Sequence, residues 1–498
     1  MIRAAASSYT RPRSSGSPFG HRVKHAALLA LALLSLSGPA RAEEPPPIRS
    51  NDFTLDVFQG PLLAPLRATG VGGAFAGYAE GVDAIASNAA APAVREPYSV
   101  SYFDYDLSFS FYLPSAFKST DFDNDGQVGF RYDNFTFLTL GASVQVGRFG
   151  LGILGDLETY DLNPRAQGND TQIVATLGKL HMVAGWSVLD GQLSLGGGLR
   201  AVVLSFDAGQ ADGASTQEIL SMTGVAPEFG VLIRPNWKPY RIGLTYRMAV
   251  EGGHEGEVRP DADGIVRAGE LIVPRKVRLP WEVQLGFALQ LGPRPLNPRW
   301  LEPHAHKQRV REQIEQERAQ REEAYQAELA VIEDEVERAF RAAELADAEA
   351  QQRAREEERL QDESLRAERR ARYWNWPRER ITVLGELLVT GPSENAVSLE
   401  SFFSQVAKPS GGKPSITPRL GIESEPVPDW LQTRLGTYIE PSRYEGSPAR
   451  QHFTFGADLR LGRFSVFGLA PHQIWRVSGV IDVAPRYRHL GVSIGAWH

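Results

Sequence analysis

Most of the chain alternates between apolar and polar residues with a period of two. From Ile242 to Val250 the even positions read Ile, Leu, Tyr, Met and Val, while Arg241, Gly243, Thr245, Arg247 and Ala249 are small or charged. Leu279 to Leu291 repeats the pattern, with Trp281, Val283, Leu285 and Phe287 set against Glu282, Gln284, Gly286 and Ala288. In Phe453 to Leu461, apolar residues oppose Thr454, Gly456, Asp458 and Arg460. Successive side chains of a strand point to opposite faces, so each segment predicts a strand with one greasy and one wet face. A soluble sandwich alternates in the same way. Here the wet face mixes glycine with charge, as the lumen of a membrane barrel does.

Connection lengths alternate as well. Short turns are expected at Gly147-Arg148, Leu189 to Gly191, Arg234 to Lys238, Pro426 to Asp429 and Gly462-Arg463. Between them lie long polar stretches: Ser115 to Gln127, Asn163 to Thr171, Asp207 to Gln217, Gly252 to Lys276, Gly391 to Lys413 and Pro441 to Gln451. This is the loop asymmetry of an outer-membrane barrel, and the segments amount to about 14 antiparallel strands. Tryptophan prefers membrane interfaces. With the strands drawn this way, Trp186, Trp237, Trp300, Trp374, Trp376, Trp430, Trp475 and Trp497 fall at the short-turn end and Trp281 at the other.

One segment breaks the pattern. His304 to Arg372 lacks Gly and Pro and carries 14 basic and 19 acidic residues, a helix composition. It predicts one long helix or a two-helix, coiled-coil-like hairpin bending near Ala346 to Ala350, on the short-turn side. Charge pairs such as Glu317 with Arg321 and Glu337 with Arg341 would support it. The stripe Leu329, Ile332, Val336, Phe340 would need a partner surface, so Ile332, Val336 and Phe340 are candidate partner-binding residues.

Composition narrows the chemistry. The 498 residues include no cysteine and carry a net charge of −7, which excludes thiol chemistry and disulfides and offers no basis for nucleic-acid binding. Arg3, Arg11, Arg13, Arg22 and Lys24 precede an apolar run, Ala26 to Leu36, that ends in Pro39-Ala40-Arg41-Ala42. This is the pattern of a cleaved signal peptide over residues 1–42. No other apolar run is long enough for a spanning helix. The expected order is then a plug over 43–97, strands one to eight over 98–291, the charged insertion over 292–378 and strands nine to fourteen over 379–498.

The segment Arg67-Ala-Thr-Gly-Val-Gly-Gly-Ala-Phe75 through Asp83 to Asn88 is too small and too rich in Gly and Ala to face lipid. It resembles the N-terminal hatch of the FadL-like outer-membrane proteins, which include long-chain fatty-acid and aromatic-hydrocarbon transporters and PorV-type secretion proteins. Arg67, Gly70, Gly72, Gly73, Ala74, Phe75 and Asn88 match the hatch motif, whereas the Pro and Gly expected after Asn88 are replaced by Ala89-Ala90-Ala91-Pro92. The resemblance implies an all-β transmembrane barrel of 14 strands with Arg67, Gly70, Gly72, Gly73, Phe75 and Asn88 as hatch or gate residues. It also implies a non-enzymatic protein of the Gram-negative outer membrane that admits fatty acids or hydrocarbons passively. The charged insertion is foreign to that pattern, and favours the other reading: an envelope or secretion platform with a periplasmic protein partner. The implied partners are outer-membrane lipid and a hydrophobic small molecule.

The remaining motifs carry less. Neither Gly70 to Phe75 nor Gly411-Gly412-Lys413 completes a phosphate-binding signature, and no G-x-S-x-G or H-E-x-x-H occurs. Asp121, Asp123 and Asp125, followed by Gly126, have the spacing of a calcium loop, but Tyr132 stands where the bidentate Glu belongs. Calcium at an extracellular loop is the one cofactor suggested; a solvated loop tip is the plainer alternative. The expected lumen residues are Arg247, Glu282, Gln284, Glu386, Asp458, Arg460 and Arg476, with Asp156, Glu158 and Asp482 beside them. A fatty-acid path would need an apolar pocket ending in an unpaired cation.

Overall fold

Alternation of small or charged residues with large apolar ones closes the chain on itself. The computed structural model describes residues 45–96, 99–113, 120–128, 130–164, 171–210, 216–253, 260–463 and 474–496. The expected signal peptide and Trp497 lie outside them.

Fourteen antiparallel strands form a closed barrel. Eight precede the charged insertion: β1 (Phe103–Tyr112), β2 (Phe130–Val146), β3 (Phe149–Pro164), β4 (Thr171–Val188), β5 (Leu193–Gln210), β6 (Thr216–Ile233), β7 (Tyr240–Arg247) and β8 (Glu282–Leu291). Six follow: β9 (Ile381–Thr390), β10 (Ser415–Val427), β11 (Leu431–Glu440), β12 (Arg450–Arg463), β13 (Ile474–Ala484) and β14 (Tyr487–Ala496). Each strand pairs with its chain neighbours, and β14 closes on β1 from Ser108↔Gly495 to Tyr112↔Gly491. Closure leaves no strand edge unpaired, which lets a sheet sit in lipid.

The outer wall is apolar. Leu140, Val203, Phe229, Leu285, Leu420 and Phe453 are exposed on it, whereas Thr139, Arg241, Gln284, Glu423 and Asp458, on the alternate positions, are buried in the lumen. Trp186, Trp237, Trp374 and Trp430 are exposed at the end where the short turns lie. A broad apolar face turned outward has no place in water, so the wall is read as membrane-spanning.

Two boundaries differ from the sequence expectation. Gly462-Arg463 is not a turn, because β12 continues through Arg463; the connection falls in residues 464–473, outside the described residues. The β7 alternation stops at Arg247, and Val250–Gly252 leaves the wall to pair with Lys276–Leu279. The loop between β13 and β14 is also short, only residues 485–486.

The insertion is a hairpin of three helices: α1 (Pro303–Val331), α2 (Glu335–Arg359) and α3 (Asp362–Trp374). The bend lies at residues 332–334 and not near Ala346 to Ala350. Asp334 explains the position, since its carboxylate accepts hydrogen bonds from the Val336 and Glu337 amides as an N-cap. Asp334-x-x-Glu337 has the spacing of a helix N-terminus. Val310, Ile314 and Leu365 form the hairpin's core, with Leu360 against them. The charges pair mostly across the hairpin: Arg321 meets Glu356 and Glu349, Arg341 meets Glu328, and Glu317 meets Arg359. Crossing pairs are available because α2 runs back along α1, the arms being held at their base by Val310 and Ile314 of α1 against Leu365 of α3.

Candidate functional site: the hatch and the lumen

The N-terminal segment runs inside the barrel along its length. At the loop end Thr54–Asp56 pairs in parallel with Lys276–Leu279 and with Ala396–Val397. It then passes through a helical turn at Leu66–Gly70 and two short helical turns at Val82–Ala84 and Ala91–Ala93. It leaves at the turn end, where the Arg95 guanidinium donates to the Gly147 carbonyl (2.8 Å).

The wall is cut to fit this backbone. Inward-facing Gly150, Gly196, Gly230, Gly243, Gly286, Gly421 and Gly436 lie on β3, β5, β6, β7, β8, β10 and β11, and a Cβ on any of them would overlap hatch backbone. For Gly421 that Cβ would lie 2.5 Å from the Val71 carbonyl oxygen. Strand glycine is unfavourable in itself and marks close backbone approach. Gly72, at φ +65°, would place a Cβ 2.8 Å from the Thr437 amide nitrogen, so conformation and space both require glycine there.

Ion pairs then hold the hatch. Arg67 bridges Glu80 of the hatch and Glu423 of β10, both at 3.3 Å, and lies over the rings of Phe75 and Tyr78. Glu423 also accepts from Arg434 (2.7 Å) and Tyr78 (3.1 Å). Arg434 continues to Asp458 (2.6 and 2.8 Å), and Arg476 joins Asp458 (3.0 Å) to Asp83 of the hatch (2.8 Å). Glu386 accepts from the Phe75 and Ala76 amides (3.0 and 2.8 Å) and from Arg419 (2.8 Å), whose other contact is the Gly73 carbonyl. Asn88 donates to the Ala76 and Val231 carbonyls and accepts from the Ala90 amide. Thr454 donates to the Gly70 carbonyl (3.1 Å).

The expected hatch residues thus all sit at hatch–wall contacts. Among the expected lumen residues, Arg247 meets Glu228 (3.3 Å), Glu282 (3.5 Å) and the Ala86 carbonyl, and Glu282 also meets Arg200 (2.9 Å). Gln284 is buried in the lumen, and its Oε1 has no hydrogen-bond partner. Arg460 departs from the group: it reaches the Asp429 carbonyl and lies over Trp430 at the turn-end rim. Residues that the sequence pattern did not mark as lumen or hatch residues carry as much of the network, including Glu80, Glu228, Glu423 and Arg434. Period two gave the signal for Glu423 and Arg434, which share the inward positions of β10 and β11 with Gly421 and Gly436.

Between hatch and wall lies a chamber of about 130 Å³, bounded by Leu62, Ala68, Gly73 and Ser87 below and by charged wall residues. Among the described residues, each Lys or Arg lining it is matched: Lys179 with Glu158 (3.0 Å), Arg200 and Arg247 with Glu282, and Arg419 with Glu386, while His181 meets Glu228 (3.0 Å). Above it, towards the loop end, an aromatic and aliphatic cluster lies beside a buried polar network of Glu440, Arg450, His452 and Asp482 on β11 to β13. Phe135 stacks on Tyr160 (5.3 Å), Phe206 meets Phe403 edge-on (4.8 Å), and Phe53, Phe122, Ile173, Leu204 and Met222 join the same cluster.

Asp121, Asp123 and Asp125 converge, with one oxygen of each within 4.8 Å of the others. The protein's own cations already meet them: Lys408 is 2.7 Å from Asp125 and Arg486 3.3 Å from Asp121, while the Tyr444 hydroxyl donates to Asp123. Burial and the adjacent Asp125 push the Asp123 carboxyl up to about 6.

On the hairpin, Val336 and Phe340 are 79% and 69% exposed and Val331 beside them 81%, while Ile332 lies in the bend, half-buried. The four cluster at the tip instead of forming one stripe along a helix.

No protein-family model matches the chain, and no curated protein sequence matches it. Solved structures are similar to it over most of its length. A Pseudomonas aeruginosa FadL homologue overlaps 89% of this chain and 99% of its own, at 12% identity and a TM-score of 0.46. The CymD monoaromatic hydrocarbon channel overlaps 87% and 96%, at 9% identity and a TM-score of 0.45. A deletion mutant of the TodX monoaromatic hydrocarbon channel overlaps 88% and 98%, at 10% identity and a TM-score of 0.41.

Proposed function

We propose that this protein is a FadL-like outer-membrane channel that admits uncharged hydrophobic compounds by passive, hatch-gated diffusion, with its turn end in the periplasm. The carrying observation is the aromatic cluster of the upper lumen, beside which the polar groups Glu440, Arg450, His452 and Asp482 are paired with one another. A porin keeps its interior polar and wet, whereas Phe53, Phe135, Tyr160, Phe206 and Phe402 build an aromatic interior here. A fatty acid would need a free cation for its carboxylate, and among the described residues each Lys or Arg lining the chamber beneath is matched by a carboxylate. A neutral hydrocarbon has no such requirement. With the hatch seated its backbone lies directly against the wall at Gly150, Gly196, Gly243 and Gly436, so passage requires the hatch to yield. The test is uptake of radiolabelled toluene and laurate by cells with an intact lipopolysaccharide leaflet, with and without the protein. Faster toluene entry with unchanged laurate entry is expected, and unchanged toluene entry overturns the reading.

A second reading, a membrane platform for a periplasmic protein, is favoured by one feature. Helix α1 has 29 residues, about 44 Å at 1.5 Å per residue, and the hairpin ends in exposed Val331, Val336 and Phe340.

A further inference from the structure

A second cavity, of about 500 Å³, lies outside the lumen, where α1 meets the turn-end rim of the barrel. Its walls carry Arg95, Arg148, Arg234, Arg299 and Arg309 against Asp190, Glu302 and Glu312, so cations exceed anions. Asp190 is shared: Arg148 reaches one of its oxygens at 2.9 Å and Arg299 the other at 2.8 Å. One guanidinium charge of that trio is left over.

Arg234 is the buried member, 4% exposed. It donates from Nη1 to the Arg95 carbonyl (2.9 Å), and its Nε has no hydrogen-bond partner. Glu80 and Glu96 act on it only at longer range, and burial together with Arg241 pushes its pKa below the usual guanidinium range. The Trp300 indole N–H on the same wall is also buried without an acceptor. Such donors are costly to leave unmet. Helix α1 adds a third feature. Its N-cap residue, Glu302, also lines the cavity but makes no capping hydrogen bond, no acidic residue stands in the first turn, and Ala305 of that turn lines the cavity. Uncapped helix N-termini favour anions.

We propose that this cavity binds a phosphate group, carried by a lipid of the adjoining leaflet or free in solution, with Arg234 as the buried anchor and Arg148 and Arg299 at the mouth. The exposed Trp186 and Trp237 place the rim at interfacial depth, within reach of lipid head groups. The inference is independent of what the lumen carries.

The test uses the full chain, purified in detergent and stripped of lipid. Dihexanoyl phosphatidylglycerol, dihexanoylglycerol and inorganic phosphate are the probes, and native mass spectrometry and calorimetry the readouts. Arg148 and Arg299 are about half exposed, so a double Arg148→Gln, Arg299→Gln variant should keep the barrel's heat-modifiable migration. Arg234→Gln serves as the second variant. Phosphatidylglycerol binding to the parent, weakened roughly tenfold or more in each variant, is the expected result. Competition by inorganic phosphate would then assign the free anion as sufficient, and its failure to compete would assign the lipid. Absence of binding, equal binding in the double variant, or equal binding of the phosphate-free dihexanoylglycerol overturns the proposal.

Discussion

Replacing Glu423 by Gln removes one negative charge from the middle of the hatch–wall network while preserving shape. Glu423 is buried and accepts from Arg434 at 2.7 Å, from Arg67 at 3.3 and 3.4 Å and from Tyr78 at 3.1 Å, with Arg380 at 3.7 Å. Taking one partner from a buried ion pair destabilises by about 3 to 5 kcal/mol, chiefly because the remaining charge stays buried and unmatched. The lower end applies here. Arg434 keeps both bonds to Asp458, and Arg67 keeps Glu80. About 3 kcal/mol corresponds to roughly a hundredfold shift in the equilibrium between seated and released hatch. Hydrogen–deuterium exchange in detergent reads this directly. The Gly72, Gly73, Phe75 and Ala76 amides should exchange roughly a hundredfold faster, while the strand ladders stay protected. Adding Arg67→Met should restore part of the protection by removing the stranded cation. The reasoning fails if hatch protection is unchanged, or if the wall loosens as much as the hatch.

Further outcomes follow from single contacts. Gly196→Val should impair hatch seating and barrel assembly, because its Cβ would overlap the Ala89 carbonyl, whereas Gly479→Val, with open space around it, should not; heat-modifiable migration compares them. Leu365→Ala should destabilise the hairpin by about 2 to 5 kcal/mol, seen as faster proteolysis of residues 303–374 with the barrel intact. Replacing Ile332, Val336 and Phe340 by Ser should leave stability unchanged and abolish a cross-link to a periplasmic protein; retention of every cross-linked partner removes the platform reading. Burial and the nearby Glu80 carboxylate push Glu96 up to about 8. Because the folded state holds that proton more tightly than the unfolded chain, its contribution is complete at low pH and is lost as pH rises through 8. The melting temperature should therefore fall as pH rises from about 5 to 8 and level off above, and less so in Glu96→Gln.

The wall of this protein is a local matter. A side chain on a strand faces one side or the other according to its parity, so Ile242 and Arg241 announce lipid and lumen from sequence alone. The hatch was legible for a similar reason, since Arg67 to Asn88 has no apolar face with which to cover a sheet. Which lumen charges meet was not legible. Arg67 and Glu423 are 356 positions apart, and only the closure of fourteen strands around the hatch brings them together. The strand glycines are the sharpest case: Gly196, Gly243 and Gly436 look like weak points in their strands until the hatch backbone is seen lying against them. The hairpin bend divides likewise. Asp334-x-x-Glu337 wrote the start of α2 into the sequence, but the burial of Val310 and Ile314 against Leu365, which gives the two arms their partner, exists only once the chain has folded back.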